Sequence, residues 1–141
     1  MKSRDSVLRL RRFQADEKRR RVTQIESMIA EFERMARDLS DQVVAEQQRT
    51  GIHDATHFAY PTFAKAALAR RDNLLASASE LKGQMAAAQD ELAEAVEDLK
   101  KLELIAERDV ARERATVAAA EQEAIDAAAA RRRPRNGPAF A

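Results

Sequence analysis

The sequence contains no cysteine and no tryptophan, and its 141 residues include only three glycines and three prolines. Without cysteine the chain can form neither a disulfide nor a thiolate metal site. The longest stretch without a charged residue, 55–64, has ten residues, about half of the roughly 20 that a membrane-spanning helix needs. These absences exclude a disulfide-stapled domain and predict that no helix of this chain crosses a bilayer.

Glycine and proline are concentrated in two short windows, and this divides the chain. All but Gly83 lie within 51–61 or 134–138. Because both residue types interrupt helices, the sequence predicts one domain over 1–133, followed by a disordered tail. The predicted segments are a helix over 4–50, a turn over 51–61, a helix over 62–131 and the tail over 134–141.

The residues that are present are those of long helices. Alanine supplies 30 of the 63 apolar residues, and charged residues make up 35% of the chain, a composition typical of a coiled coil. The net charge is only +1, so the chain as a whole gives no electrostatic reason to expect nucleic-acid binding. Near the amino terminus, Arg9, Arg11 and Arg12 interrupt any apolar run that resembles a signal peptide. We therefore expect a cytoplasmic protein.

Apolar residues recur at alternating steps of three and four in both predicted helices, which is the heptad pattern of a helix-helix seam. In the first helix the seam residues are Val22, Ile25, Ile29, Phe32, Ala36, Leu39 and Val43. In the second they are Leu74, Ala78, Leu81, Met85, Ala88, Leu92, Ala95, Leu99, Leu102 and Ala106. A turn of about ten residues requires the two helices to run antiparallel. The predicted fold is an all-α antiparallel coiled-coil hairpin with an overhanging second helix.

The distribution of charge agrees with this pairing. If the turn over 51–61 is the midpoint of the hairpin, residues that face each other across the seam have numbers that sum to about 112. The stretch 2–21 then faces 91–110. The first stretch has nine basic and three acidic residues, and the second has seven acidic residues. We expect opposite charges to set the register, pairing to fade beyond about residue 108, and about 20 residues of the second helix to extend past the first.

The chain offers little that resembles an active site. It has no glycine-rich phosphate loop, and a two-helix hairpin provides no pocket deep enough to exclude water. His53 and His57 have a spacing that suits a metal only if their segment is helical, and a polar turn is the simpler interpretation. The arginines of 131–135 form either a solvated tail or a patch for nucleic acid or an acidic surface. We predict no enzyme activity, no catalytic residue, no cofactor and no metal.

The turn concentrates three of the six aromatic residues, Phe58, Tyr60 and Phe63, where a hairpin has little core to bury them. Two interpretations remain open. The aromatics either form an apolar plug at the end of the coiled coil or anchor a docking surface, since aromatic anchors are typical of interface hot spots.

The same turn resembles a known family. The stretch 51–65 reads GIHDATHFAYPTFAK and is followed by RRDNL at 70–74, and the chain opens with KSR at 2–4, LRLRRF at 8–13 and DEKR at 16–19. These segments are similar to flagellar export proteins of the FliJ family in the form found in alphaproteobacteria. The likeness extends over nearly the whole chain except the last ten or so residues.

The resemblance implies a component of the flagellar type III protein export apparatus, and so of flagellum biogenesis, motility and chemotaxis. It implies an antiparallel coiled coil like the central stalk of rotary ATPases, cytoplasmic and peripheral to the flagellar basal body at the inner membrane. Family members sit in the hexameric export ATPase, promote its assembly, and contact the export gate and export chaperones. The implied partners include neither nucleic acid nor a membrane into which the chain inserts directly.

The resemblance also suggests where partners bind. At the turn end, the positions that match the family are Val44, Gln48, Phe63, Ala67 and Arg71, which join Phe58 and Tyr60 as the expected surface for the cytoplasmic domain of the export gate. At the open end, the expected surface for the ATPase ring is Arg9, Arg11, Arg12, Lys18, Arg19, Arg20 and Arg21. The alternative is a coiled-coil protein that uses its basic ends to bind nucleic acid, or a generic scaffold.

Overall fold

The computed structural model describes residues 2–54, 56, 57, 60 and 62–132. They form two helices, α1 (Lys2–Thr50) and α2 (Thr62–Arg132), which pack against each other along α1. This confirms the predicted all-α helical hairpin, and the helix bounds differ from the predicted ones by no more than two residues. The predicted tail over 134–141 lies outside the described residues.

The two predicted seams form the core. Buried side chains of α1 include Ala15, Ile25 and Ala36, and most of the buried side chains of α2 are alanines. The larger seam residues of α2, such as Leu81 and Met85, are only half-buried and pack beside the cluster of Val22, Ile25, Ile29 and Ala88. Small side chains in the seam let the two helices approach closely. The result is a narrow rod whose core is one layer of side chains.

Ion pairs between the helices agree with the predicted register. Lys82 Nζ lies 2.9 Å from Glu33 Oε1, and Arg12 Nε lies 3.7 Å from Glu103 Oε1. Near the amino terminus, Arg4 Nη1 lies 3.8 Å from Asp109 Oδ2. In each case the acid and the base lie within three residues of the partner that the midpoint rule assigns. Pairs this exposed contribute little to stability, so their main effect is on register.

The turn is closed by hydrogen bonds and by one aromatic side chain. Gly51 ends α1 with a φ of 73°, and its N–H donates to the Gln47 carbonyl at 2.8 Å, which is a common way for a helix to stop. Tyr60 is 4% exposed and packs with Val43, Ala64 and Ala67. We call these four residues the turn cluster. Gln47 Nε2 donates to Tyr60 Oη at 3.0 Å, so the buried hydroxyl has a partner.

The second helix continues well past the first. Every residue from 111 to 132, the segment that we call the overhang, is exposed. At its base, Glu113 still accepts a hydrogen bond from Arg4 Nη1 at 3.4 Å. The overhang is about 33 Å long at 1.5 Å per residue. It is rich in alanine and extends an existing helix, so it needs no new nucleus. Pairing ends near residue 110, close to the predicted 108.

Candidate interaction surfaces at the two ends of the rod

The basic residues at the open end fall into two groups. In the first group, each base has a carboxylate partner. Arg12 reaches across to Glu103, while Arg19 and Arg20 pair within α1. The distances within α1 are 2.9 Å from Arg19 Nη1 to Asp16 Oδ1 and 3.8 Å from Arg20 Nη2 to Glu17 Oε1. These three charges are partly neutralised by their own helix or by α2.

In the second group, no carboxylate lies within ion-pair distance among the residues that the structure describes. Arg9, Lys18 and Arg21 belong to it, as does Arg11, whose Nη1 contacts only the Gln14 side chain, at 3.5 Å. Four of the seven expected bases therefore retain a charge that no direct ion pair compensates. The positive field of the open end comes mainly from this second group.

The two grooves beside the seam differ at the open end. One has a volume of about 440 Å³ and is lined by charged residues that include Arg12, Glu103 and Arg114. The other has a volume of about 260 Å³ and is lined mainly by Val7, Leu8 and Leu102. Because consecutive residues of a helix are about 100° apart, Val7 and Arg12 point to different sides of α1. The open end therefore has a charged side and an apolar side.

The expected turn-end residues are divided between surface and core. Val44 and Phe63 are 49% and 53% exposed, Gln48 is exposed, and Arg71 is half-buried. Tyr60 and Ala67 instead belong to the turn cluster, because their side chains fill the space between the ends of the two helices. They pack beneath the exposed residues of the turn end and are not accessible to a partner. Phe58 lies outside the described residues.

Phe63 also borders a partly apolar groove of the turn end. That groove has a volume of about 410 Å³, with Met35, Leu39 and Phe63 along it and Asp38 and Arg70 at its rim. The plug and the docking surface were alternatives in the sequence. In the structure Tyr60 is buried in the turn cluster and Phe63 is exposed, and docking through Phe63 stays a prediction.

Two carboxylates near the turn have perturbed acidity. The Arg49 guanidinium donates a hydrogen bond to Glu46 and holds the pKa of that carboxyl below its ordinary value, and the same contact raises the pKa of Arg49. The hydroxyl and the backbone N–H of Thr56 both donate to Asp54 Oδ1, at 2.7 and 2.9 Å, and lower the pKa of Asp54. Both shifts follow from local hydrogen bonds that shape the turn.

The two histidines do not share a helix face. His53 and His57 are exposed and lie in non-helical chain between α1 and α2, so their spacing of four does not bring the imidazoles together as it would on a helix. Within the described part of the chain, no group of three or more His, Asp or Glu side chains is arranged to hold a metal ion. Over the same residues, neither helix is long and apolar enough to cross a membrane.

Two surface residues of the open end were not among the expected sites. Leu10 is 54% exposed and Phe13 is 55% exposed, although both are large and apolar. The signal was present in the sequence, because both residues occupy heptad positions that point away from the seam. Neither residue belongs to the basic residues of the open end or to the turn aromatics, which are the surfaces that the sequence predicts.

Comparisons of this chain with protein-family models, with curated proteins and with solved structures each gave no match.

Proposed function

We propose that the protein is a non-enzymatic stalk and adaptor of a flagellar type III export apparatus. In this proposal its open end inserts into the hexameric export ATPase and promotes assembly of the ring. Its turn end contacts the cytoplasmic domain of the export gate, and the rod also contacts export chaperones. The protein would act in the cytoplasm at the flagellar basal body, beside the inner membrane. The resemblance of the turn to the FliJ family suggests the role.

The observation that carries the proposal is the shape of the open end. The rod is two helices wide, on the order of 20 Å, and ends in a single exposed helix, the overhang, which is about 33 Å long. A slender projection of this kind suits the central channel of a ring. A single-layer hairpin also has no enclosed pocket in which to carry out chemistry.

The charges of the open end support the same direction of insertion. Arg9, Arg11 and Arg21 have no carboxylate within ion-pair distance among the described residues, so they remain free to attract acidic side chains of a partner. Electrostatic attraction of this kind speeds association and orients the partners more than it raises affinity. These charges lie behind the overhang, near the start of α1, where they would meet the wall of the channel once the overhang has entered.

The turn end supports a second contact. Val44, Gln48, Phe63 and Arg71 remain at least partly accessible, and Phe63 stands beside an apolar groove. An aromatic side chain next to such a groove is a typical anchor of a protein interface. We assign the export gate to this end because the residues there match the family's turn.

The test is ATP hydrolysis by the cognate export ATPase. We expect the intact protein to raise the rate through ring assembly without hydrolysing ATP itself. A version that ends after Val110 lacks the overhang, and a version without 1–13 lacks the first turns of α1, so both should stimulate less. Helicity is measured for each version to confirm that the rod is intact. The matched control is Phe63→Ser, which alters the turn end and should stimulate fully.

Equal stimulation by the intact protein and by both truncated versions would contradict insertion by this end. A titration with duplex DNA at physiological salt separates the alternative function. Tight binding with a steep dependence on salt would favour a nucleic-acid binder, whereas the proposed stalk should bind DNA weakly.

A further inference from the structure

One short stretch of α1 breaks the pattern of its outward face. In the frame set by Ala15, Val22 and Ile29, three positions in each heptad, b, c and f, point away from α2, and f does so most directly. Along the whole of α1 these outward positions carry polar residues, charged residues or alanine, except for Leu10, Phe13 and the isolated Val44, so only Leu10 and Phe13 lie next to each other. Such positions face solvent and normally carry polar residues. Two large apolar side chains in neighbouring turns therefore require an explanation.

These two residues form a patch with a third. Val7, Leu10 and Phe13 are 46%, 54% and 55% exposed, and they follow one another at steps of three. We call them the outer patch. The Arg20 guanidinium carbon lies 6.0 Å from the centre of the Phe13 ring, within the range of a cation–π contact. Val7 also lines the groove that it shares with Leu102 of α2, whereas Leu10 and Phe13 point away from α2, and all three residues keep exposed surface for a ligand.

The patch lies within the most basic stretch of the chain. Residues 2–21 have nine bases and three acids. Asp16 and Glu17 are already paired with Arg19 and Arg20. The acids of 91–110 lie in α2, on the side of α1 opposite the patch. They are therefore further from a ligand on the patch than the bases of α1 are, by about one helix diameter, roughly 10 Å. That separation is about one Debye length at physiological salt, so their repulsion is largely screened.

We propose that the outer patch docks on the surface of an anionic lipid bilayer, with α1 lying parallel to the membrane. A helix with Leu and Phe between arginines is the usual form of an interfacial helix, whose apolar side chains enter the headgroup region while the bases meet acidic lipids. The patch is a convex ridge, and a fluid bilayer can deform around such a ridge. A nucleic acid would meet the arginines but leave Leu10 and Phe13 in water.

The docking does not depend on the proposed role at the ATPase. It uses some of the same bases, Arg9 and Arg21, so the open end cannot lie on a membrane and inside a ring at the same time. Loss of one activity leaves the other measurable, because vesicle binding is assayed without any ATPase. The result for vesicles is therefore independent of the result for ATP hydrolysis.

The chain contains no tryptophan, so Phe13→Trp introduces a single fluorescent reporter at the patch. We expect its emission to shift to the blue with vesicles of equal parts phosphatidylcholine and phosphatidylserine, and not with phosphatidylcholine alone. The matched control is Leu104→Trp, which is 56% exposed on the outward face of α2, on the opposite side of the rod from the patch, and should show no shift. Equal shifts with both vesicle types, or no shift with either, would overturn the proposal.

Flotation of the full-length protein with the same vesicles separates the two contributions. Leu10→Ser with Phe13→Ser should weaken binding by about tenfold through the lost apolar insertion, and Arg9→Gln with Arg21→Gln by about tenfold or more. The controls are Leu104→Ser on α2 for the first pair and Arg34→Gln with Arg37→Gln for the second, and both should stay near the unaltered protein. Unchanged binding by the Leu10 and Phe13 variant, or an equal loss in the controls, would refute docking by this patch.

Discussion

The two ends of the rod differ in what they bury. At the turn end, Tyr60 is 4% exposed and Ala64 is fully buried, and the tyrosine hydroxyl has a hydrogen-bond partner in Gln47. At the open end, Ala15 and Ala106 are buried, but Leu8 is only half-buried, and ion pairs join the helices. At the turn end the chain connects the two helices, so residues of α1, the turn and α2 can form one compact cluster. The open end, without such a connection, leaves apolar and basic side chains on its surface.

The largest expected effect concerns Tyr60. If the turn cluster holds the hairpin closed, Tyr60→Ala should lower the free energy of unfolding by about 3–5 kcal/mol, as for other buried aromatic residues. Leu8→Ala at the open end should cost clearly less, because Leu8 is already half-exposed. Urea unfolding, monitored by the loss of helicity, measures the effect of both substitutions. As a control, Phe63→Ala should have little effect on stability, and equal losses for Tyr60 and Leu8 would remove the contrast between the ends.

Tyr60 also shows where sequence reasoning stops. Heptad spacing predicts the seams of both helices from residue identity alone, because a helix repeats its geometry at every turn. The fate of a turn aromatic depends on how the non-helical chain folds back. Here Tyr60 meets Gln47, which is thirteen residues away. No periodic pattern encodes that contact, so the sequence left the burial of Tyr60 open.

A second test compares alanines at the two ends. Ala64 has no exposed surface, so Ala64→Leu should overpack the turn cluster and cost about 1–3 kcal/mol. Ala120 lies in the overhang and is exposed, so Ala120→Leu should change stability by less than about 0.5 kcal/mol. Both substitutions keep good helix formers, and thermal unfolding compares them directly. A large loss at Ala120 would indicate that the overhang has a partner in the free protein.

The overhang itself was predictable, because it follows from the unequal lengths of the two helices. The ion-pair partner of each base at the open end was not predictable. Asp16 and Glu17 compete with the acids of α2 for nearby arginines, and the structure shows that they pair with Arg19 and Arg20. Such competition between pairs of similar, small energy is decided by side-chain geometry, which sequence spacing does not specify.

Two glycines provide a smaller, signed test. Gly51 at the turn end has a φ of 73°, which strains any residue with a Cβ, so Gly51→Ala should destabilise by about 1 kcal/mol. Gly83 lies inside α2, and a Cβ added there would meet nothing within 4 Å. Gly83→Ala should therefore stabilise by about 0.5–1 kcal/mol. Urea unfolding of the two variants should shift in opposite directions, and a shift in the same direction would contradict this assignment.

The smallest expected effect is the response of the turn end to acid. Hydrogen bonds from Arg49 and Thr56 lower the pKa values of Glu46 and Asp54 below 4.5 and 3.8. A lowered folded-state pKa contributes stability that is present above the ordinary pKa and lost as pH falls through the lowered one. The stability gap between the unaltered protein and Glu46→Gln with Asp54→Asn should therefore narrow below about pH 4. Asp54 is exposed and Glu46 is half-buried, and each shift comes mainly from one hydrogen-bonding residue, so the gap should be small. A gap that widens in acid would contradict the assignment.

The most direct test of the division between the two ends is site-specific photo-crosslinking in the assembled export apparatus. One photoreactive residue replaces Val117 in the overhang and another replaces Phe63 at the turn end; both positions are more than half exposed, so neither should disturb the rod. We expect the probe at 117 to link to the export ATPase and the probe at 63 to link to the export gate. Links from both positions to the same partner, or the reverse assignment, would contradict the proposed roles of the two ends.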